Sequence, residues 1–159
     1  MNKFYKVSRE QYMKDAGGDA NLNQEWEDIK MPTRGTRWSA GYDFFSPIDF
    51  ALEPGESIKF CTGIGVELDK NKFLACYPRS GLGFKHKIHL WNTVGIIDAD
   101  YKYADNEGHI AVKLCNGGNH RVEIKKGDAF MQGIIQQYFI TDDDHADGVR
   151  TGGFGSTGR

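Results

Sequence analysis

From Tyr42 to Ile140 the chain is a succession of short runs rich in β-branched and aromatic residues, each closed by a turn signal. GYDFFSPIDFAL, ESIKFCTGIGVEL, KFLACYP, HIAVKLCN, HRVEIK and AFMQGIIQQYFI are separated by EPGE, DKNK, NGGN and KKGD among other polar stretches. β-Branched and aromatic side chains suit a pleated, half-buried surface, whereas Gly, Pro, Asn and Asp favour the backbone angles that reverse a chain. Many short strands at near-regular spacing predict an all-β fold, a jelly-roll-like β-barrel. No internal repeat is visible.

The two ends have a different texture. Residues 8–16, SREQYMKDA, place Ser8 as an N-cap with Gln11 three residues later and Gly17-Gly18 as a stop, which predicts a short N-terminal helix. The polar stretch that follows, up to Trp38, reads as a wrap-around connection. At the other end TDDDHADGVR leads into TGGFGSTGR, four of whose nine residues are glycine. Such a segment builds neither helix nor strand, because glycine loses the most backbone entropy on ordering. It fits a frayed terminus, or an arm that orders on a ligand with Phe154 to stack and Ser156 and Thr157 to donate. The expected organisation is residues 1–38 as N-terminal helix and connection packed on the core, 39–140 as the β-domain, and 141–159 as linker and flexible C-terminal arm.

Bulk properties narrow the partners. A chain of 159 residues is one domain by size. With net charge −2 and no Lys/Arg-rich run, nothing tracks a nucleic-acid backbone. No apolar run has transmembrane length and MNKFYKVSRE lacks a signal-peptide core, so no membrane partner is expected and a cytoplasmic location is. Cys61, Cys76 and Cys115 are odd in number and widely spaced, which reads as reduced core thiols. His86 and His89 are three apart without a partner cluster, and Asp142 to Asp144 read as solvated linker, not a metal cage.

Four stretches carry chemistry. In YPRSGLGFKHK, Arg79 offers a planar fork of donors, Ser80 a hydroxyl and Gly81 a place for a ligand to approach the main chain, a set that suits a polyphosphate. A Pro-Gly turn with an incidental arginine fits the same letters. In WNTVGIIDADYKY, Asp98 and Asp100 alternate, so on a strand both carboxylates would leave one face. Either could orient and deprotonate a water, or both could be solvated in a hairpin. In GDAFMQG, Gln132 could reach a phosphate or pair with backbone. GGFGSTG is not a P-loop, because no Lys lies inside it and no helix can follow it.

The order of these stretches is the stronger signal. SAGYDFFSP, PRSGLGFKHK, NTVGIIDADY, GDAFMQ and GGFGSTG, within residues 39–158, closely resemble the five motifs of the trimeric dUTPase family. The resemblance implies a jelly-roll-like homotrimer that hydrolyses dUTP to dUMP and pyrophosphate, with Mg²⁺ on the triphosphate. It implies active sites shared between subunits, the C-terminal arm of one closing over a site formed by the other two.

By resemblance Asp98 positions the water that attacks the α-phosphorus, and Tyr101 lies beneath the deoxyribose and leaves no room for a 2′-hydroxyl. Asn92 and Gly95, with the hairpin backbone up to Tyr101, read the uracil edge. Arg79, Ser80, Gly81 and Gln132 hold phosphates. In the arm, Phe154 stacks on uracil, Gly155 lets the backbone approach, Ser156 and Thr157 donate to the distal phosphates, and Arg150 matches the arm arginine. Asp43 matches the first-motif aspartate, acting through water or structural bonds, and no residue is expected to ligate Mg²⁺ directly.

Three departures stand out. The arm from Arg150 to Phe154 is one residue shorter than the usual R-G-x-G-G-F-G, Ala129 stands where an arginine is common, and KYADNEGHI after Tyr101 is longer than the usual turn. A dCTP deaminase on the same fold would need a glutamate where this chain has Lys113, and would lack GGFGSTG. A regulatory protein partner, docking on the longer hairpin after Tyr101, is a further expectation.

Overall fold

Strand pairing begins well before Tyr42. A computed structural model describes residues 1–17 and 22–153. Its elements run β1 (Lys3–Lys6), α1 (Arg9–Ala16), α2 (Leu22–Glu27), β2 (Tyr42–Phe45), β3 (Phe50–Leu52), β4 (Ser57–Cys61), β5 (Ile64–Glu67) and β6 (Lys72–Pro78). They continue with α3 (Ser80–His86), β7 (Ile88–Leu90), β8 (Gly95–Asp98), a 3₁₀ turn (Ala99–Tyr103), β9 (Ala111–Asn116), β10 (Val122–Ile124) and β11 (Ala129–Gln137). The strands group into β2-β11-β6-β8, β4-β9-β7, β1-β5 and β3-β10, every pair antiparallel. This is the expected all-β architecture, of jelly-roll type.

The core forms where the inward faces of these sheets meet. Phe44, Leu74 and Phe130 from one large sheet pack with Ile88, Leu90 and Leu114 from the other, and all are essentially inaccessible. On β9 alternation from Ala111 to Leu114 buries Val112 and Leu114 and turns Lys113 to the opposite side. On β11 the register against β2 shifts between Ala129 and Met131. A bulge of this kind lets the consecutive residues Phe130 and Met131 both be buried.

The predicted helix forms with the expected cap: the Ser8 hydroxyl accepts from the Gln11 N–H at 3.1 Å, and Gly17 closes it at φ 100°. The stretch read as a connection contains a second helix, α2, and the N-terminus contributes β1, neither expected from the sequence. Leu22 is the buried residue of LNQEWE, so no apolar stripe announces α2. Tertiary packing makes it: Trp26 packs beside Tyr12, Val7 and Leu22, and its indole N–H donates to the Val7 carbonyl at 2.9 Å.

The long turn after Tyr101 is engaged by this N-terminal segment. Glu107 accepts from the Ser8 N–H at 2.8 Å and the Ser8 hydroxyl at 2.7 Å, and its carbonyl accepts from the Tyr5 hydroxyl at 2.7 Å. His109, with no exposed side-chain surface, meets Asp15 of α1 at 2.6 Å. Its Nε2 accepts from the Gly63 N–H at 2.8 Å, so its proton sits on Nδ1, facing Asp15.

Burial holds the His109 imidazole below its ordinary pKa, against the opposing pull of Asp15. The unfolded chain therefore binds the proton more readily, and this contribution to stability falls as pH drops below about 6.5, by at most about 1.4 kcal/mol per unit. Melting curves from pH 7.5 to 5.5 should show a steeper loss for wild type than for His109→Gln. Parallel curves would exclude His109 as a source of acid sensitivity.

Candidate active site

Strand β6 arranges the site, because its two edges and its far end carry separate groups. At its C-terminal end the chain passes through Pro78 into Arg79, which is extended at φ −70° and caps α3. PRSGL is thus the opening of a helix, not a Pro-Gly turn. Two glycines lower the helix propensity of SGLGFKH, but Leu82 packs on the core and holds it down. The Arg79 Nε lies 3.0 Å from Asp43 on β2. Asp43 sits opposite Gln132 of β11, whose side-chain amide donates to the Pro78 carbonyl at 3.2 Å. A Cβ at Gly41 would lie 2.4 Å from the Gln132 Oε1, so only glycine leaves that amide its place. Arg79, Ser80, Gly81, Gln132 and Asp43 therefore form one group.

The second group lies along β8. Asn92 belongs to the turn after β7, Gly95 pairs with Cys76, Asp98 ends the strand and Tyr101 follows in the 3₁₀ turn. Two expectations are corrected here. Asn92 to Tyr101 is not a hairpin: β7 pairs with β9 while β8 pairs with β6, so the segment crosses from one sheet to another. Asp98 and Asp100 also do not share a strand face. β6 begins at Lys72, one residue beyond the partner of Asp98, so the chain past Asp98 has no ladder to join and coils into i,i+3 turns.

Both carboxylates nevertheless converge on one guanidinium. Arg150 Nη2 lies 2.6 Å from Asp98 and its Nε lies 2.7 Å from Asp100. Gly153 follows closely over Tyr101, where a Cβ would meet the ring at 2.8 Å. The start of the arm thus covers this group within one chain. Phe154, Gly155, Ser156 and Thr157 lie outside the described residues.

A cavity of about 550 Å³ is lined by Asn92, Gly95, Asp98, Tyr101 and Arg150. Two further lining residues went unread as site residues in the sequence: Trp91, and Lys113, whose Nζ sits 3.8 Å over the Trp91 ring. The signal for Lys113 was present, since the alternation of β9 turns it out of the core. Tyr101 is buried, and burial raises its pKa. Cys76 also lines the cavity, but burial pushes its thiol up to about 12, which suits packing and not nucleophilic attack.

The two groups are far apart along β6. Asp98 pairs with Phe73, and Arg79 lies six residues further on. At about 3.3 Å per residue that is roughly 20 Å. β6 stays paired with β11 without a register shift from Lys72 to Pro78.

The dUTPase family model matches residues 27–158. The deoxyuridine 5′-triphosphate nucleotidohydrolase of Lactococcus lactis is 36% identical over 149 residues, 92% of this chain and 99% of that protein. That of Nautilia profundicola is 39% identical over 143 residues, 87% and 95% of the two chains. Among solved structures, the dUTPase of Streptococcus mutans superposes with a TM-score of 0.67 at 26% identity, covering 87% of this chain and 98% of that one. The dUTPase of Staphylococcus bacteriophage 80alpha, solved with dUPNHPP, has a TM-score of 0.68 at 20% identity and covers 100% and 99%, a likeness of fold.

The fold and the family match together define an all-β nucleotide hydrolase. The chain belongs to the dUTPase family, and its activity is that of a dUTP diphosphatase.

Proposed function

We propose that the chain cleaves dUTP to dUMP and pyrophosphate by in-line attack of water on the α-phosphorus, with Asp98 holding and deprotonating that water. The observation that carries this is the placement of Asp98, half exposed at the cavity, three residues before the buried platform of Tyr101. Uracil enters between the strands, its edge read by Asn92 and the backbone around Gly95. Polar groups placed to pair with the uracil edge reject cytosine strongly, because the wrong base leaves them unpaired. The deoxyribose lies on Tyr101, whose ring leaves no room for a 2′-hydroxyl.

Arg79, Ser80, Gly81 and Gln132 take the phosphates. Along the backbone roughly 20 Å separates Arg79 from Asp98 in one chain, a long span for one triphosphate. That separation favours taking the phosphate group from a second copy, and it supports the reading of a homotrimer with shared sites. Arg150 leaves its carboxylates when nucleotide binds, and the arm closes with Phe154 on the base and Gly155, Ser156 and Thr157 on the phosphates.

Mg²⁺ is the expected cofactor. Among the described residues the cluster of three donors is Asp15, Cys61 and His109, with a thiol and a buried imidazole that suit a hard cation poorly. The carboxylates near the nucleotide are Asp43, paired to Arg79, and Asp98 and Asp100, paired to Arg150. This donor set fits an ion held mainly by substrate phosphates, with Asp43 reaching it through water. When bound, Mg²⁺ neutralises charge on the triphosphate. A phage phi11 dUTPase has been described with a structural Mg(II) ion.

We place the reaction in the cytoplasm on the three free cysteines. No described helix is long and apolar enough to cross a membrane. The turn after Tyr101, the surface expected for a regulatory partner, is engaged by the chain's own residues 5–15.

The test is pyrophosphate release from dUTP, dCTP, dTTP and UTP, with Mg²⁺ and with chelator. Release from dUTP at least about a hundredfold faster than from the others, lost with chelator, is the expected result. Ammonia released from dCTP would overturn the reading.

A further inference from the structure

We propose that Asn106 and His109, braced by Asp15 of α1, are positioning residues for Tyr101 and thereby set how well the enzyme excludes a ribose. This rests on the reading of Tyr101 as the sugar platform.

Both hydrogen bonds of the Tyr101 hydroxyl end in the long turn. It donates to the His109 carbonyl at 3.1 Å and accepts from the Asn106 amide at 2.9 Å. The same amide reaches the His109 carbonyl at 3.3 Å, so the three groups close a ring of contacts at the far edge of the platform. The platform's ring is therefore held by its outer tip, and Tyr101 is among the residues that line the cavity.

The turn is built to stay where it is. Gly108 adopts φ +65°, and a Cβ there would lie 2.7 Å from the Lys102 Cα and 3.0 Å from the Tyr101 carbonyl. Those are backbone atoms of the 3₁₀ turn itself, so the loop doubles back directly onto the segment that carries Tyr101. His109, whose carbonyl receives the tyrosine, is pinned at both ring nitrogens by Gly63 and Asp15. Asp15, Cys61 and His109 lie close enough to suggest a metal site, but the Nε2 lone pair is taken by an N–H and Nδ1 carries the proton. The cluster is a brace.

Asp15 precedes the stretch that the family model matches, and Asn106 and His109 lie in the turn that is longer than usual. A platform excludes a 2′-hydroxyl sterically only if it cannot retreat. Loosening its tip should therefore cost discrimination more than turnover.

The experiment measures kcat and KM for dUTP and UTP in wild type, Asn106→Ala, Tyr101→Phe, the double variant, Asp15→Ala and Asp15→Asn, with melting curves for each. The dUTP-over-UTP ratio of kcat/KM should fall about tenfold in Asn106→Ala and in Tyr101→Phe, and no further in the double variant. In Asn106→Ala it should fall more than kcat for dUTP does. Asp15→Ala should lower the ratio and Asp15→Asn, which keeps an acceptor for His109, should restore it. An unchanged ratio in folded Asn106→Ala, or additive losses in the double variant, overturns the inference. Should Asp15→Ala fail to fold, the Tyr101–Asn106 cycle decides alone. A wild type inactive on dUTP would remove the underlying reading, whereas an active wild type with unmoved variants removes only this inference.

Discussion

Asp98→Asn should lower kcat on dUTP by about 10²- to 10⁴-fold while leaving KM within a few-fold. The substitution keeps the size of the side chain and one acceptor oxygen, but removes the charge that draws a proton from the attacking water. On the proposed reading substrate binding rests on the cavity wall, Tyr101 and the phosphate group, none of which changes. The stability cost should be small, because Asp98 is half exposed and exposed ion pairs contribute at most about 1 kcal/mol. Asp100→Asn is the matched comparison: it loses the same kind of contact to Arg150 but belongs to the 3₁₀ turn after the strand end. Steady-state pyrophosphate release, with melting temperatures alongside, separates the two. Asp98→Asn within about tenfold of wild type, or an Asp100→Asn variant equally inactive, would reassign the water.

Two inactive variants should together regain activity. Arg79→Ala should lose about 10²-fold or more in kcat/KM if, as proposed, its guanidinium holds a phosphate. If Asp98 of one chain works with Arg79 of the next around a closed ring, a site is intact where an Arg79→Ala chain supplies Asp98 and an Asp98→Asn chain supplies Arg79. Random reassembly from an equal mixture then makes about one quarter of all sites intact, one in every mixed trimer. The recovery should appear only after the two variants are co-refolded or co-expressed. Were both residues to act within a single chain, mixing would restore nothing. The roughly 20 Å between them along β6 makes the first outcome the expected one.

Much of the fold is legible in the order of the residues. Short β-branched runs between turn residues announce an all-β fold because strand propensity and turn chemistry are local properties. Ser8 and Gly17 mark the ends of α1 for the same reason, since a cap involves residues only three or four apart. α2 is hidden because its stability comes from Trp26 and Leu22 meeting Tyr12 across a loop, not from a stripe in its own six residues. β1 is hidden because KFYK acquires its meaning only from Ile64–Glu67, about sixty residues away. The helix at α3 is masked by two glycines that the packing of Leu82 overrides.

The candidate site divides in the same way. Residue type and spacing marked Asp98 and Asp100 as carboxylates able to hold a water and Arg79 and Ser80 as a set suited to phosphate, while the place of Tyr101 beneath a sugar is implied by the family resemblance. Only the tertiary structure decided which of them stand together. Strand register places Asp98 and Arg79 at opposite ends of β6, and the early end of that strand leaves Asp100 in a coil instead of on a shared face. The brace of Asp15, His109 and Asn106 behind Tyr101 joins residues up to 94 apart in the chain. Backbone propensities act over a few neighbours and can be read in order. Pairing, burial and hydrogen bonding across a sheet depend on distances that exist only once the chain has closed on itself.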